Sequence, residues 1–146
     1  MSTTLGSRKR QRGAAALEFA IVLPVLILLL VGIVDFGMVM GAQSQVANAA
    51  REGARAGALT GNQSQAISAA TNGISDMPGA SKSGTKVTIT CTTVSGTACS
   101  MTDATSDTGS MITVTVTYVH TWLSPVMLGF SPTVTLQGKS QMRIEA

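Results

Sequence analysis

Between Ala14 and Val34 the chain runs for 21 residues with Glu18 as its only ionisable side chain. A helix rises about 1.5 Å per residue, so this run reaches roughly 30 Å, the thickness of a bilayer's hydrocarbon core. A helix buried in a soluble domain rarely stays apolar on every side for that distance. A secretory signal peptide has a shorter apolar core with a small-residue cut close behind it. Here the cut-like Ala47, Asn48 and Ala49 stand well past the apolar edge. The run predicts a transmembrane helix over 14–35.

The flanks predict its orientation. Arg8, Lys9, Arg10 and Arg12 precede the run, whereas the rest of the chain sets six basic side chains against seven acidic ones. The net charge of +3 is therefore a property of the tail. Basic residues beside a membrane span mark the cytoplasmic flank. Nucleic-acid binding is not expected, because aromatics make up 3% of the chain and the segment past the span has no basic excess. This predicts a cytoplasmic leader over 1–13 and an extracytoplasmic C-terminal part. Within the span, Pro24 removes one helical hydrogen bond. Gly32, Gly37 and Gly41 leave room for close helix approach. Glu18 lies about 6 Å beyond Ala14 along the axis. A carboxylate there is costly in lipid unless it snorkels to the inner headgroups or meets a charge partner.

Past the span, Val39, Ala42, Val46, Ala49, Gly53 and Ala56 recur at helical spacing, with polar residues between them. This predicts a helical extension over 36–58, with a stripe of small residues for close packing. Arg51, Glu52 and Arg55 share the polar side, as a solvated face or as a docking patch for another subunit. Thr60, Gly61 and Asn62 should end the helix. A second helix is expected over 63–75, its inner face formed by Ala66, Ile67, Ala70 and Ile74, followed by a loop from Asp76 to Gly84. Lys86–Val94, Met111–His120 and Thr133–Ile144 then alternate apolar residues with threonines or charges, the pattern of strands covered on one face. The expected fold is α+β and pilin-like: a long N-terminal transmembrane helix packed on a small three-stranded antiparallel sheet. Residues 59–146 form its extracytoplasmic domain.

Cys91 and Cys99 flank a turn at Ser95-Gly96-Thr97, and outside the cytoplasm such a pair favours a disulfide, the alternative being two reduced thiols. Trp122, Leu123, Val126, Met127, Leu128 and Phe130 make an apolar connection. It is either a satellite core or a patch for assembly or the membrane surface. No catalytic constellation is visible. His120 is the only imidazole. With Cys91 and Cys99 it lacks metal-ligand spacing, and no phosphate-binding glycine loop occurs. The sequence predicts neither enzyme activity, nor a cofactor, nor a metal.

The run Arg12-Gly13-Ala14-Ala15-Ala16-Leu17-Glu18-Phe19, continued by Ala20 to Pro24, resembles the N-terminus of the TadE-like family. These are pseudopilins of the tight-adherence (Flp type IVb) pilus system. Gly32-Ile33-Val34-Asp35-Phe36-Gly37 resembles the family's motif at the outer membrane edge. Ala49-Ala50-Arg51-Glu52-Gly53-Ala54-Arg55 resembles its strongest signature, and Met142-Arg143-Ile144-Glu145 a common ending. The resemblance implies that a prepilin peptidase cuts between Gly13 and Ala14, leaving Glu18 as the fifth residue of the mature chain. A glutamate at that position could pair with the new amine of a neighbouring subunit and set the stagger between helices. It further implies a single-pass protein of the bacterial inner membrane. Its partners would be other pilins or pseudopilins, the pilus assembly machinery and the prepilin peptidase. An alternative is the same anchor carrying an extracytoplasmic binding module unrelated to pili. A third reading, a membrane-tethered envelope enzyme, would have to use His120.

Overall fold

A computed structural model describes residues 7–78, 84–101, 109–123, 129 and 132–145, with the backbone alone for residues 7–12. The expected span and its extension form one continuous helix, α1, Ser7–Thr60. Its 54 residues reach about 80 Å at the usual rise. The Ala- and Leu-rich sequence favours helix throughout, and α1 runs on through Pro24. No backbone break separates the 14–35 and 36–58 segments.

The stop is local. Gly61 adopts φ +59°, and its N–H donates to the Gly57 carbonyl at 2.9 Å. A left-handed residue at this position closes a helix, and glycine takes it without a Cβ clash. Asn62 then caps the second helix, α2, Gln63–Asn72, with Oδ1 accepting from the Ser64 and Gln65 N–H groups at 2.9 and 3.4 Å. The helix ends short of the expected Ser75, and turns carry the chain onward. Ile67 corrects the expected inner face: it is 38% exposed, while Ala66, Ala70 and Ile74 are buried. The reason is steric. Added Cβ atoms at Gly53 and Gly57 would collide with Ala66 and Ala70, so only small residues fit where α2 lies on α1.

The three expected strands are β1 (Lys86–Thr92), β2 (Met111–Thr121) and β3 (Thr133–Arg143). They form one antiparallel sheet in the order β1-β2-β3. The α+β architecture and the sheet are as the sequence predicts. The alternation also holds. Ile112, Val114, Val116 and Tyr118 of β2 are buried against Val46, Ala49, Ala50 and Ala54 of α1, all in one core. One polar exception, Thr113, is buried on the other face and accepts from Gln141 Nε2 across the β2–β3 pair at 2.9 Å.

Backbone meets backbone at Gly138, which pairs with Val116 midway along β3. A Cβ there would lie 2.5 Å from the Val46 carbonyl oxygen, so the backbone of α1 rests directly on β3. Tyr118 donates its hydroxyl to the Pro78 carbonyl, and burial pushes its pKa up. The C-terminal segment closes the far end of α1. Ile144 is buried, and the Glu145 N–H donates to the Ala58 carbonyl at 3.0 Å, satisfying an end-of-helix acceptor. These contacts fix the direction of β2. Its start, Ile112, abuts Gly57, and the residue two past its end, Leu123, meets Asp35. The end of β2 therefore lies at the end of the domain nearer the apolar run of α1.

Candidate functional site

The first 22 described side chains of α1, residues 13–34, are exposed or half-buried throughout. Among the described residues this is one helix long and apolar enough to cross a membrane, with mean hydropathy 2.9 over its most apolar window. Gly13, Ala14 and Glu18 are all exposed there. Ala14 and Glu18 stand one helical turn apart, on the same side. Glu18 has no polar partner among the described residues. Gly32, Gly37 and Gly41 are open as well, with no atom near an added Cβ. The basic side chains of the leader lie outside the described residues.

The next acid along α1 behaves oppositely. Asp35 follows the apolar run directly yet is 1% exposed, and its Oδ1 accepts the Leu123 N–H at 2.8 Å. Sequence reasoning placed Asp35 in a motif at the membrane edge without giving it a partner. The available signal was a carboxylate between Val34 and Phe36, an apolar setting that calls for a donor.

The Ala49–Arg55 run divides into two faces. Ala49, Ala50, Gly53 and Ala54 are buried, whereas Arg51, Glu52 and Arg55 are exposed. Arg51 donates to Asn48 Oδ1 at 2.7 Å, and Arg55 Nη1 lies 3.8 Å from Glu52 Oε2. Exposed pairs of this kind contribute about 0–1 kcal/mol, so fold stability does not account for the charges. The buried half is structural, and the charged half is available to a partner.

Cys91 and Cys99 lie 5.1 Å apart at Cα and are joined as a disulfide. The hairpin between them turns at Gly96, and the Cys99 N–H donates to the Cys91 carbonyl at 3.2 Å. Beyond it, the buried Met101 accepts from the Gln63 N–H at 3.3 Å, tying this arm to the start of α2. Reduction is expected to lower stability by about 2–3 kcal/mol, the loop-closure value for so short a ring. Denaturant titration with and without reductant checks this. Thiol labelling of the unreduced chain should leave both cysteines unmodified.

His120 lies on β2 between Tyr118 and Trp122, with ring centroids 6.3 Å from each. Its Nε2 is buried with no hydrogen-bond partner among the described residues. It borders a groove of about 500 Å³ whose described lining includes Met38, Gln45 and Tyr118, but no carboxylate or cysteine. Among the described residues no cluster of His, Cys, Asp or Glu could hold a metal ion.

A lipid-length helix that continues into a small covered sheet defines a single-span membrane anchor with a pilin-like α+β head. Residues 13–55 match the family model described as TadE-like protein, the family those same residues resemble by their motifs. The match begins at Gly13 and closes on Arg55, so it takes in Glu18, Asp35 and the two-faced signature. It links the anchor to tight-adherence pilus-related function. No curated protein and no solved structure matches the chain.

Proposed function

We propose that this chain is a membrane-anchored pseudopilin, a minor pilin-like subunit that takes part in assembling a tight-adherence type IVb pilus. The observation that carries the reading is the bare α1 segment. Gly13, Ala14 and Glu18 are exposed on it, and Glu18 finds no partner within the described chain. A charge in lipid needs a counter-charge, and another subunit cut at Ala14 would offer one. The TadE-like match over the same residues supports this assignment.

On this reading the N-terminus is cytoplasmic, the span lies in the inner membrane and the α+β head is extracytoplasmic. The basic tail and the disulfide both agree with that topology. The exposed Arg51, Glu52 and Arg55 form the docking patch for a neighbouring subunit or for the assembly machinery. The chain is a substrate of the prepilin peptidase and has no catalytic role of its own.

Intact-mass measurement of the membrane form tests the reading. In cells that carry the peptidase, the mass should correspond to residues 14–146. In cells without it, the full-length mass should appear. A full-length mass in both would remove the processing step, and with it the proposed partner for Glu18.

A further inference from the structure

We infer that the head is not held clear of the bilayer: Trp122 and Leu123, which directly follow β2, rest in the lipid interface of the leaflet on the head's own side. This rests on the membrane-anchor part of the proposed function and is independent of pili.

The first observation is the level of Asp35. The apolar run ends at Val34, so Asp35 stands where hydrocarbon gives way to headgroups. Its bond to the Leu123 N–H puts Leu123 at that same level. Next comes the far side of α1. Phe36 and Met40 continue the exposed apolar surface past Asp35, with Met40 58% exposed. Ala14 to Met40 spans about 40 Å of helix, which is the hydrocarbon core plus an interfacial layer. The lipid-facing surface of the helix thus extends above the point where Leu123 is bonded to it.

The two residues themselves suit that environment. Leu123 is 51% exposed although its N–H is bonded to the helix, and neither Trp122 nor Leu123 carries an ionisable side chain. Tryptophan is enriched at membrane interfaces, where its ring and its N–H meet different surroundings. The placement also accounts for a buried carboxylate at this position. β2 ends at Thr121, so no strand partner takes the Leu123 N–H, and in a region poor in water an unmade backbone bond is costly. Asp35 supplies the acceptor. In this arrangement it is a positioning residue that fastens the foot of the head to the membrane edge.

Trp122 is the only tryptophan in the chain, so its fluorescence reads this contact without a label. The full chain is reconstituted into phosphatidylethanolamine/phosphatidylglycerol vesicles, with brominated phosphatidylcholine added as quencher, and recovered by flotation. Bromines placed shallow in the acyl chain should quench Trp122 by roughly twofold or more, and deeper bromines less. Acrylamide in the aqueous phase should quench it weakly. Asp35→Ala should reverse that order, while Asp35→Asn, which keeps an acceptor oxygen, should preserve it. If the wild-type chain floats with the vesicles yet bromolipids leave Trp122 untouched, the interfacial contact is wrong and the anchor stands. If the chain does not float, both fail. Unchanged lipid quenching in Asp35→Ala would overturn the fastening role.

Discussion

Gly138→Ala is expected to destabilise the head by more than the roughly 1–3 kcal/mol usual for an overpacked core. The added methyl group would sit 2.5 Å from the Val46 oxygen, 2.8 Å from its carbonyl carbon and 2.9 Å from the Ala47 nitrogen. All three are backbone atoms, so no side chain can rotate away. The helix cannot retreat cheaply either, because Ala42 before the contact and Ala49 and Ala50 after it are buried in the core. β3 is bonded along its length to β2, which fixes the strand. A domain with about 5–15 kcal/mol of stability has little margin for such a loss. Gly41→Ala is the control, since no atom lies within 4 Å of its added Cβ. There the helix should gain up to about 1 kcal/mol. Urea titration of the full chain in detergent, followed by Trp122 emission, compares the two. Coincident midpoints for Gly138→Ala and wild type would mean that α1 does not lie on β3 as described.

That glycine also marks where sequence reasoning ran out. The inward positions of β3 were legible because a sheet covered on one face imposes period two, and Val134, Leu136, Met142 and Ile144 stand out against charged neighbours. Position 138 falls on the same face, but glycine offers no apolar side chain to read. Its meaning, a close approach of another backbone, is signalled by a lone glycine inside a strand. Ile67 failed for a related reason. Helical periodicity admits both Ala66 and Ile67 to the inner face, and the choice is made by Gly53 and Gly57 on the other helix, which accept only a methyl. The end of α1, the alternation of the strand faces and the cysteine pair depend on nearby residues, and these were readable, whereas the start of α1 at Ser7, inside the expected leader, was not. Contacts between distant segments were not, and Asp35 with Leu123, 88 residues apart, is the clearest case.

The candidate site divides along the same line. The Ala49–Arg55 motif was read on both counts, with Ala49 and Gly53 in a stripe for close packing and the charges as a solvated face or docking patch. Its alanines and glycine are indeed the surface on which both α2 and the sheet pack. A segment with this pattern therefore constrains the fold at least as strongly as it constrains partners. The span is the reverse: among the described residues nothing buries it, so residues 13–34 present an apolar surface to whatever surrounds the helix. The structure adds that these side chains are turned outward.

Glu18→Ala should therefore enter the membrane at least as well as wild type and yet fail to assemble. An acidic residue in the span opposes insertion by as much as about 2.5–3.5 kcal/mol at mid-membrane and less near the interface, so removing it cannot hinder insertion. On the proposed reading, what it removes is the partner for an amine at Ala14 of another subunit. Once one member of a buried pair is lost, the other is left uncompensated, at a cost of about 3–5 kcal/mol, enough to lower co-assembly by two orders of magnitude or more. The same loss should follow from the other side. Gly13→Leu, chosen to block the cut, leaves no free amine at Ala14 and should reproduce the Glu18→Ala defect. If the two act through one ion pair, the double variant should be no worse than either single one. Cross-linking yield between subunits, scored beside membrane-fraction abundance, separates assembly from insertion. Normal cross-linking in Glu18→Ala, or defects that simply add in the double variant, would dissociate the carboxylate from the cut and leave Glu18 without its assigned partner.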